Sequence, residues 1–115
     1  MLTRRALNIL LENIVEDMFS FDIKPEKIIL FGSYSRGGIH TYSDVDLAVW
    51  SKKFTGEGLI DFEIVSPLIK KYKNLDIKMY PSGATSENFD PFIDIIEKTG
   101  KSIQIVSTKN LPELS

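Results

Sequence analysis

Cysteine is absent from the 115 residues, and His40 is the lone histidine. Disulfide scaffolding, thiolate catalysis and cysteine-based zinc sites are thereby excluded, and one imidazole cannot build a histidine metal site by itself. The chain also lacks an excess of positive charge: 14 Lys and Arg stand against 16 Asp and Glu, a formal net charge of −2. Direct nucleic-acid binding through a basic face is therefore not expected, because it requires a clustered positive surface to neutralise phosphates. A nucleotide held through a metal is not excluded. Long apolar runs are missing as well. The segment MLTRRALNILLENIVED is interrupted by Asn8, Glu12, Asn13, Glu16 and Asp17, which argues against a membrane span or a secretion signal. A cytoplasmic location is the expectation.

What remains is an ordinary globular composition, 43% apolar and 26% charged, with five prolines and seven glycines. This length supports one hydrophobic core and no separate substrate-binding domain, so residues 1–115 are expected to form a single small domain. Residues 3–19 carry Ala6, Leu7, Leu10, Ile14 and Met18, with neighbouring Leu11 and Val15, at three- and four-residue steps, the pattern of an amphipathic helix. That stripe is core first and partner surface second. Phe21-Asp22-Ile23-Lys24-Pro25 is expected to break that helix, since proline cannot continue it and biases the residue before it toward extended structure. The apolar, β-branched run Lys27–Phe31 reads as a buried strand that stops at Gly32. Residues 32–43 hold three glycines, three serines and a threonine, which favours a turn, with or without a short helix. A second strand is expected at Asp44–Trp50 and a helix at Leu59–Tyr72, kinked or split by Pro67. A third strand follows at Leu75–Tyr80. A last helix is capped by Asp90-Pro91 and stopped at Gly100, and an edge strand is expected within Lys101–Val106. The fold class is α/β, or α+β, with a short mixed sheet flanked by helices.

The chemistry-bearing residues begin with Asp44 and Asp46. Two apart on a strand, they share a face roughly 6 to 7 Å from one another, while Val45, Leu47 and Val49 face the core. Like charges so close repel, and a divalent cation removes that cost. Oxygen ligands of this kind suit magnesium, which takes one or two protein carboxylates and completes its shell with water and phosphate oxygens. Asp76, between Leu75 and Ile77, is the candidate third carboxylate, and it would allow two metals about 3.5 to 4 Å apart. Gly32-Ser33, at the end of a strand, offers backbone amides and a hydroxyl to an anion. Such a grip beside a metal site is most of what nucleotidyl transfer needs from a protein.

With these residues in place, LFGSYSRGGIHTYSDVDLAV resembles the signature of the nucleotidyltransferase superfamily: Gly-Ser, ten residues, then Asp-x-Asp. Here Gly32-Ser33 precede Tyr34 through Ser43, ten residues, and then Asp44-Val45-Asp46. Arg36-Gly37, Ser43-Asp44 and Leu47 resemble the minimal nucleotidyltransferase branch, many of whose members are antitoxins paired with HEPN-domain toxins. The leading helix, the Asp76 strand and the final helix ending in Glu97-Lys98-Thr99-Gly100-Lys101 extend the likeness coarsely along the chain.

The resemblance implies transfer of AMP from ATP, with magnesium, to a hydroxyl acceptor, a tyrosine of a HEPN toxin. Asp44 and Asp46 would hold metal, and Asp76 would be metal ligand, general base for the acceptor, or both. Gly32 and Ser33 would hold the β- and γ-phosphates. Arg36 would contact the triphosphate or the acceptor, or pair with a carboxylate. His40, Tyr34 and Tyr42 are read as loop or rim residues. Two other readings stand beside this one: a binding module whose antitoxic effect is steric, and an enzyme that modifies a small molecule, which normally needs an added helical domain. A membrane partner is not expected, and self-association is left open.

Overall fold

The computed structural model describes residues 4–32 and 45–105. Three helices and four strands alternate in the order α1 (Arg4–Ser20), β1 (Lys27–Phe31), β2 (Val45–Ser51), α2 (Gly58–Lys71), β3 (Leu75–Pro81), α3 (Phe92–Thr99) and β4 (Lys101–Ser102). Helix α1 buries Leu7, Leu11, Ile14, Val15 and Met18, so the stripe includes Leu11 and Val15, while Leu10 is only half-buried.

Its end differs from the expected proline stop. Asp22, at φ +61°, occupies the left-handed position that closes a helix. The Asp22 N–H donates to Phe19 O and the Ile23 N–H donates to Met18 O, at 3.1 and 2.9 Å. These are the two bonds of a Schellman motif, and buried Ile23 against Met18 supplies its apolar contact. The helix is thus finished before Pro25 is reached. Asp22 is further tied by ion pairs to Lys53 at 2.9 Å and Lys24 at 3.4 Å, which hold its carboxyl below the usual range.

The strands form one mixed sheet ordered β3-β2-β1-β4. Strand β1 runs antiparallel to both β2 and β4, and β2 runs parallel to β3, with α2 as the crossover between them. Helix α2 continues through Pro67 without splitting. Pro67 is on the solvent side of the helix, as is Glu63, whose carbonyl loses its donor, so water can satisfy that group. Asp61 fixes the start of α2. Its fully buried carboxylate accepts hydrogen bonds from Thr55 N, Thr55 Oγ1 and Gly56 N at 2.8, 3.0 and 2.9 Å.

The expected edge strand is present but reduced to Lys101–Ser102. It reaches β1 through Gly100, where a Cβ would stand 2.9 Å from Leu30 O and 2.7 Å from Ile96 O. Only a glycine lets α3 turn into the sheet there.

Two cores result from the strand alternation. Ile28, Leu30, Val45, Leu47, Val49, Leu75 and Ile77 pack with α1 and α2 in the larger one. Ile29, Ala48, Trp50 and Tyr80 pack with Ile93 and Ile96 of α3 in the smaller.

Candidate functional site

The smaller core does not extend to the end of the sheet where β1 finishes and β2 and β3 begin. There the alternation that buries Ala48 and Trp50 brings Asp46 to the surface of the same face. Asp46 is the register partner of Asp76 on β3 and of Phe31 on β1. Adjacent strands lie about 4.8 Å apart, and paired positions share a face. The register therefore places Asp46 and Asp76 side by side. Asp46 is half-buried and Asp76 exposed.

Gly32 completes this corner. It follows β1 at φ +77°, in the left-handed region, and a Cβ built on it would collide with Asp46 Oδ2 and stand 3.3 Å from Asp46 Cγ. Both facts require glycine: the turn needs the dihedral, and the carboxylate needs the space. The chain direction thus changes against the Asp46 side chain itself.

A recess of about 240 Å³ adjoins Gly32, lined by Phe31, Phe92, Ile95, Ile96 and Thr99. Phe31 and Phe92 meet edge to face with centroids 6.0 Å apart, and Lys78 Nζ stands 5.2 Å from the Phe92 ring centre. The start of α3 is anchored to the same face through Asp90. Asp90 accepts from Phe92 N–H at 3.0 Å and from Tyr80 Oη at 2.8 Å. The amide first and the phenol second hold the Asp90 carboxyl below its ordinary value, while burial and the Asp90 charge push the Tyr80 hydroxyl up.

Of the residues singled out from sequence, the structure brings Gly32, Asp46 and Asp76 together. Ser33, Arg36 and Asp44 lie outside the described residues, as do Tyr34, His40 and Tyr42. Among the described residues no group of three or more His, Cys, Asp or Glu is arranged to hold a metal. The Asp46–Asp76 pair itself supplies two hard oxygen donors from adjacent strands, the number magnesium commonly takes from a protein. That donor set fits a divalent cation completed by substrate and water.

Lys78 and Phe92 were not legible as site residues from composition, although the period of two along β3 does assign Asp76, Lys78 and Tyr80 to one face. Among the described residues, no helix is long and apolar enough to cross a membrane.

Three solved structures share this fold. One is a toxin–antitoxin MntA–HpeT with two aspartate-to-glutamate substitutions, at a TM-score of 0.56 and 19% identity over 86% of this chain and 73% of that one. Another is MntA–HpeT with a tyrosine-to-alanine substitution, at 0.55 and 21% over 84% and 72%. The third is a toxin–antitoxin with AMP-PNP, at 0.50 and 20% over 89% and 74%. No curated protein sequence matches significantly. Residues 10–111, which span the corner from Gly32 to Asp76, match the nucleotidyltransferase domain, and the chain accordingly belongs to the nucleotidyltransferase domain family.

Proposed function

We propose that residues 1–115 act as one minimal catalytic domain that binds ATP with magnesium and transfers AMP to a hydroxyl, releasing pyrophosphate. The observation that carries this is the pairing of Asp46 with Asp76 beside the left-handed turn at Gly32. In the reaction the acceptor oxygen bonds to the α-phosphorus and the bond from that phosphorus to the pyrophosphate oxygen breaks. The hydroxyl proton passes to a carboxylate, a role this reading gives to Asp76, and its greater exposure within the pair supports that choice. Asp44 and Asp46 hold magnesium, Gly32 and Ser33 hold the β- and γ-phosphates, and Arg36 adds positive charge to the triphosphate. When bound, the metal polarises the phosphoryl oxygens and neutralises developing charge.

The acceptor, in this reading, is a tyrosine on a HEPN toxin, and the reaction takes place in the cytoplasm, where ATP is available. The fold shared with toxin–antitoxin structures supports a protein partner, and the AMP-PNP complex among them supports an adenine nucleotide. The paired aspartate substitutions in one neighbour are spaced two residues apart, like Asp44 and Asp46.

Leu59, Ile60 and Phe62 at the start of α2 are 88%, 52% and 50% exposed, an apolar surface that favours a protein partner over a small-molecule acceptor. A steric antitoxin, which needs that partner but no chemistry, is the second reading. The test incubates the protein with labelled ATP, magnesium and the product of the neighbouring gene, beside Asp44→Ala plus Asp46→Ala. The enzymatic reading expects label on the partner that vanishes in the double mutant. Protection of the host by the double mutant without labelling supports the steric reading, and a natural protein that leaves the partner unlabelled overturns the enzymatic one.

A further inference from the structure

Two of the described lysines are half-buried, Lys27 and Lys78. Lys27 is paired with Glu97 at 2.8 Å. Lys78 has no carboxylate within ion-pair distance among the described residues; Asp90 feels its charge from farther away. Its position is well defined nonetheless. Alternation along β3 puts it on the face of Asp76, one pleat onward. Its register partner on β2 is Ala48, which is fully buried. With only a methyl group there, the four-carbon stem of Lys78 has room to lie across β2 toward β1, and it does lean that way. Its Nζ rests 5.2 Å from the centre of the Phe92 ring, and that ring meets Phe31, the register partner of Asp46. Lys78 thus stands in the row next to the one that carries both carboxylates, with its ammonium beside the aromatic ring that lines the recess at Gly32.

A flexible, strongly hydrated cation ordinarily extends into water unless something fixes it. Here the aromatic ring and the small neighbour fix it, and the same ring lines the recess beside the Gly32 turn. Anionic oxygens bound at that turn would be the complement to this charge. We infer that Lys78 contacts the phosphates of the bound nucleotide and is a fixed cation of the donor site, an inference that rests on the nucleotidyl-transfer reading above. Its three N–H donors suit non-bridging phosphate oxygens, and its charge opposes the negative charge that builds up as the bond to pyrophosphate breaks.

The test is calorimetric titration of the full chain, in magnesium, with two probes, ATP and inorganic tripolyphosphate, for the natural protein, Lys78→Met, Lys78→Gln and Lys78→Arg. Methionine keeps most of the stem over Ala48 and Phe92, and glutamine serves if the methionine variant does not fold. Thermal melting of each variant separates binding loss from unfolding. The expected result is a loss of affinity of about tenfold or more for both probes in Lys78→Met, the size of one charge-assisted hydrogen bond. Lys78→Arg should recover most of it. Equal affinity in the natural protein and a folded Lys78→Met or Lys78→Gln overturns the assignment of Lys78 alone. A natural protein that binds neither probe overturns the nucleotide reading and Lys78 with it. A purely structural lysine would lower the melting temperature while leaving tripolyphosphate binding unchanged, which also rejects the inference.

Discussion

The sheet face toward α1 and α2 and the face toward α3 are made by the same alternation, yet the first is apolar along its length and the second changes character halfway. On the first, Val45, Leu47 and Val49 of β2 stand beside Leu75 and Ile77 of β3, all buried, under two helices of 17 and 14 residues. On the second, Trp50, Tyr80 and Ala48 are covered by the eight residues of α3, and the row then ends in Asp46 and Asp76. Among the described residues, the buried side chains of α3, Ile93 and Ile96, pack on the apolar part of that face and not on the aspartate row. A carboxylate pair costly to bury thus stays at the rim while its neighbours anchor the backbone, and the proposed chemistry falls on the opposite side of the strand from the larger core.

This division fails if core substitutions on the first face disturb the corner as much as the fold. Ile14 of α1 is fully buried in the larger core. Ile14→Ala should cost about 3 kcal/mol, the usual range for a large-to-alanine change in a packed interior. Chemical denaturation would measure it. Magnesium-dependent ATP affinity, taken well below the melting temperature, should stay within about twofold of the natural protein. A matched collapse of affinity would show that the two faces are not separable.

Gly32→Ala probes the corner from the other direction. The substitution forces a side chain into the left-handed region at φ +77° and against Asp46 Oδ2. The backbone cost is roughly 1 to 2 kcal/mol, smaller than that of Ile14→Ala. Because the displaced group is the site carboxylate, magnesium-dependent nucleotide binding should fall disproportionately, by about tenfold or more. An alanine variant that is destabilised but binds normally would remove Gly32 from the functional face.

Much of this contrast was legible before any coordinates. The three- and four-residue steps of α1 and the runs Lys27–Phe31 and Leu75–Tyr80 located their elements within a residue or two, because each buries a continuous face. The alternation about Val45 separated Asp46 from the core. The pairing of Asp46 with Asp76 was less accessible. It depends on β2 and β3 being parallel neighbours in one register, a long-range fact carried by no local pattern. The Schellman stop at Asp22 also escaped, since an aspartate in the left-handed position gives a weaker signal than glycine, and the nearby proline supplied a plausible wrong cause. Asp61 falls within the helix expected at Leu59–Tyr72, and the apolar spacing that locates that helix carries no sign of its role. Only the fold shows its carboxylate turned inward to gather the amides of Thr55 and Gly56.

The smallest expected effect concerns the apolar end of the α3 face. Asp90 joins Tyr80 Oη to the first amide of α3, and through α3 it supports the wall that carries Phe92. Its carboxyl is depressed in the folded protein from an ordinary 3.8, by the Phe92 amide first and the Tyr80 hydroxyl second. A folded-state value below the unfolded one means that the charged form stabilises the fold. That contribution is present in full above the unfolded value and is lost as pH falls through the folded one. Asp90→Asn keeps an acceptor oxygen but no charge. It should therefore be less stable than the natural protein at pH 7 by up to about 1 kcal/mol, at the low end of capping effects because the site is solvent-screened. The gap between their melting temperatures should close progressively below pH 3.8. A gap that persists unchanged at pH 2.5 would mean that shape and hydrogen bonding, not the charge of Asp90, hold α3 against the sheet.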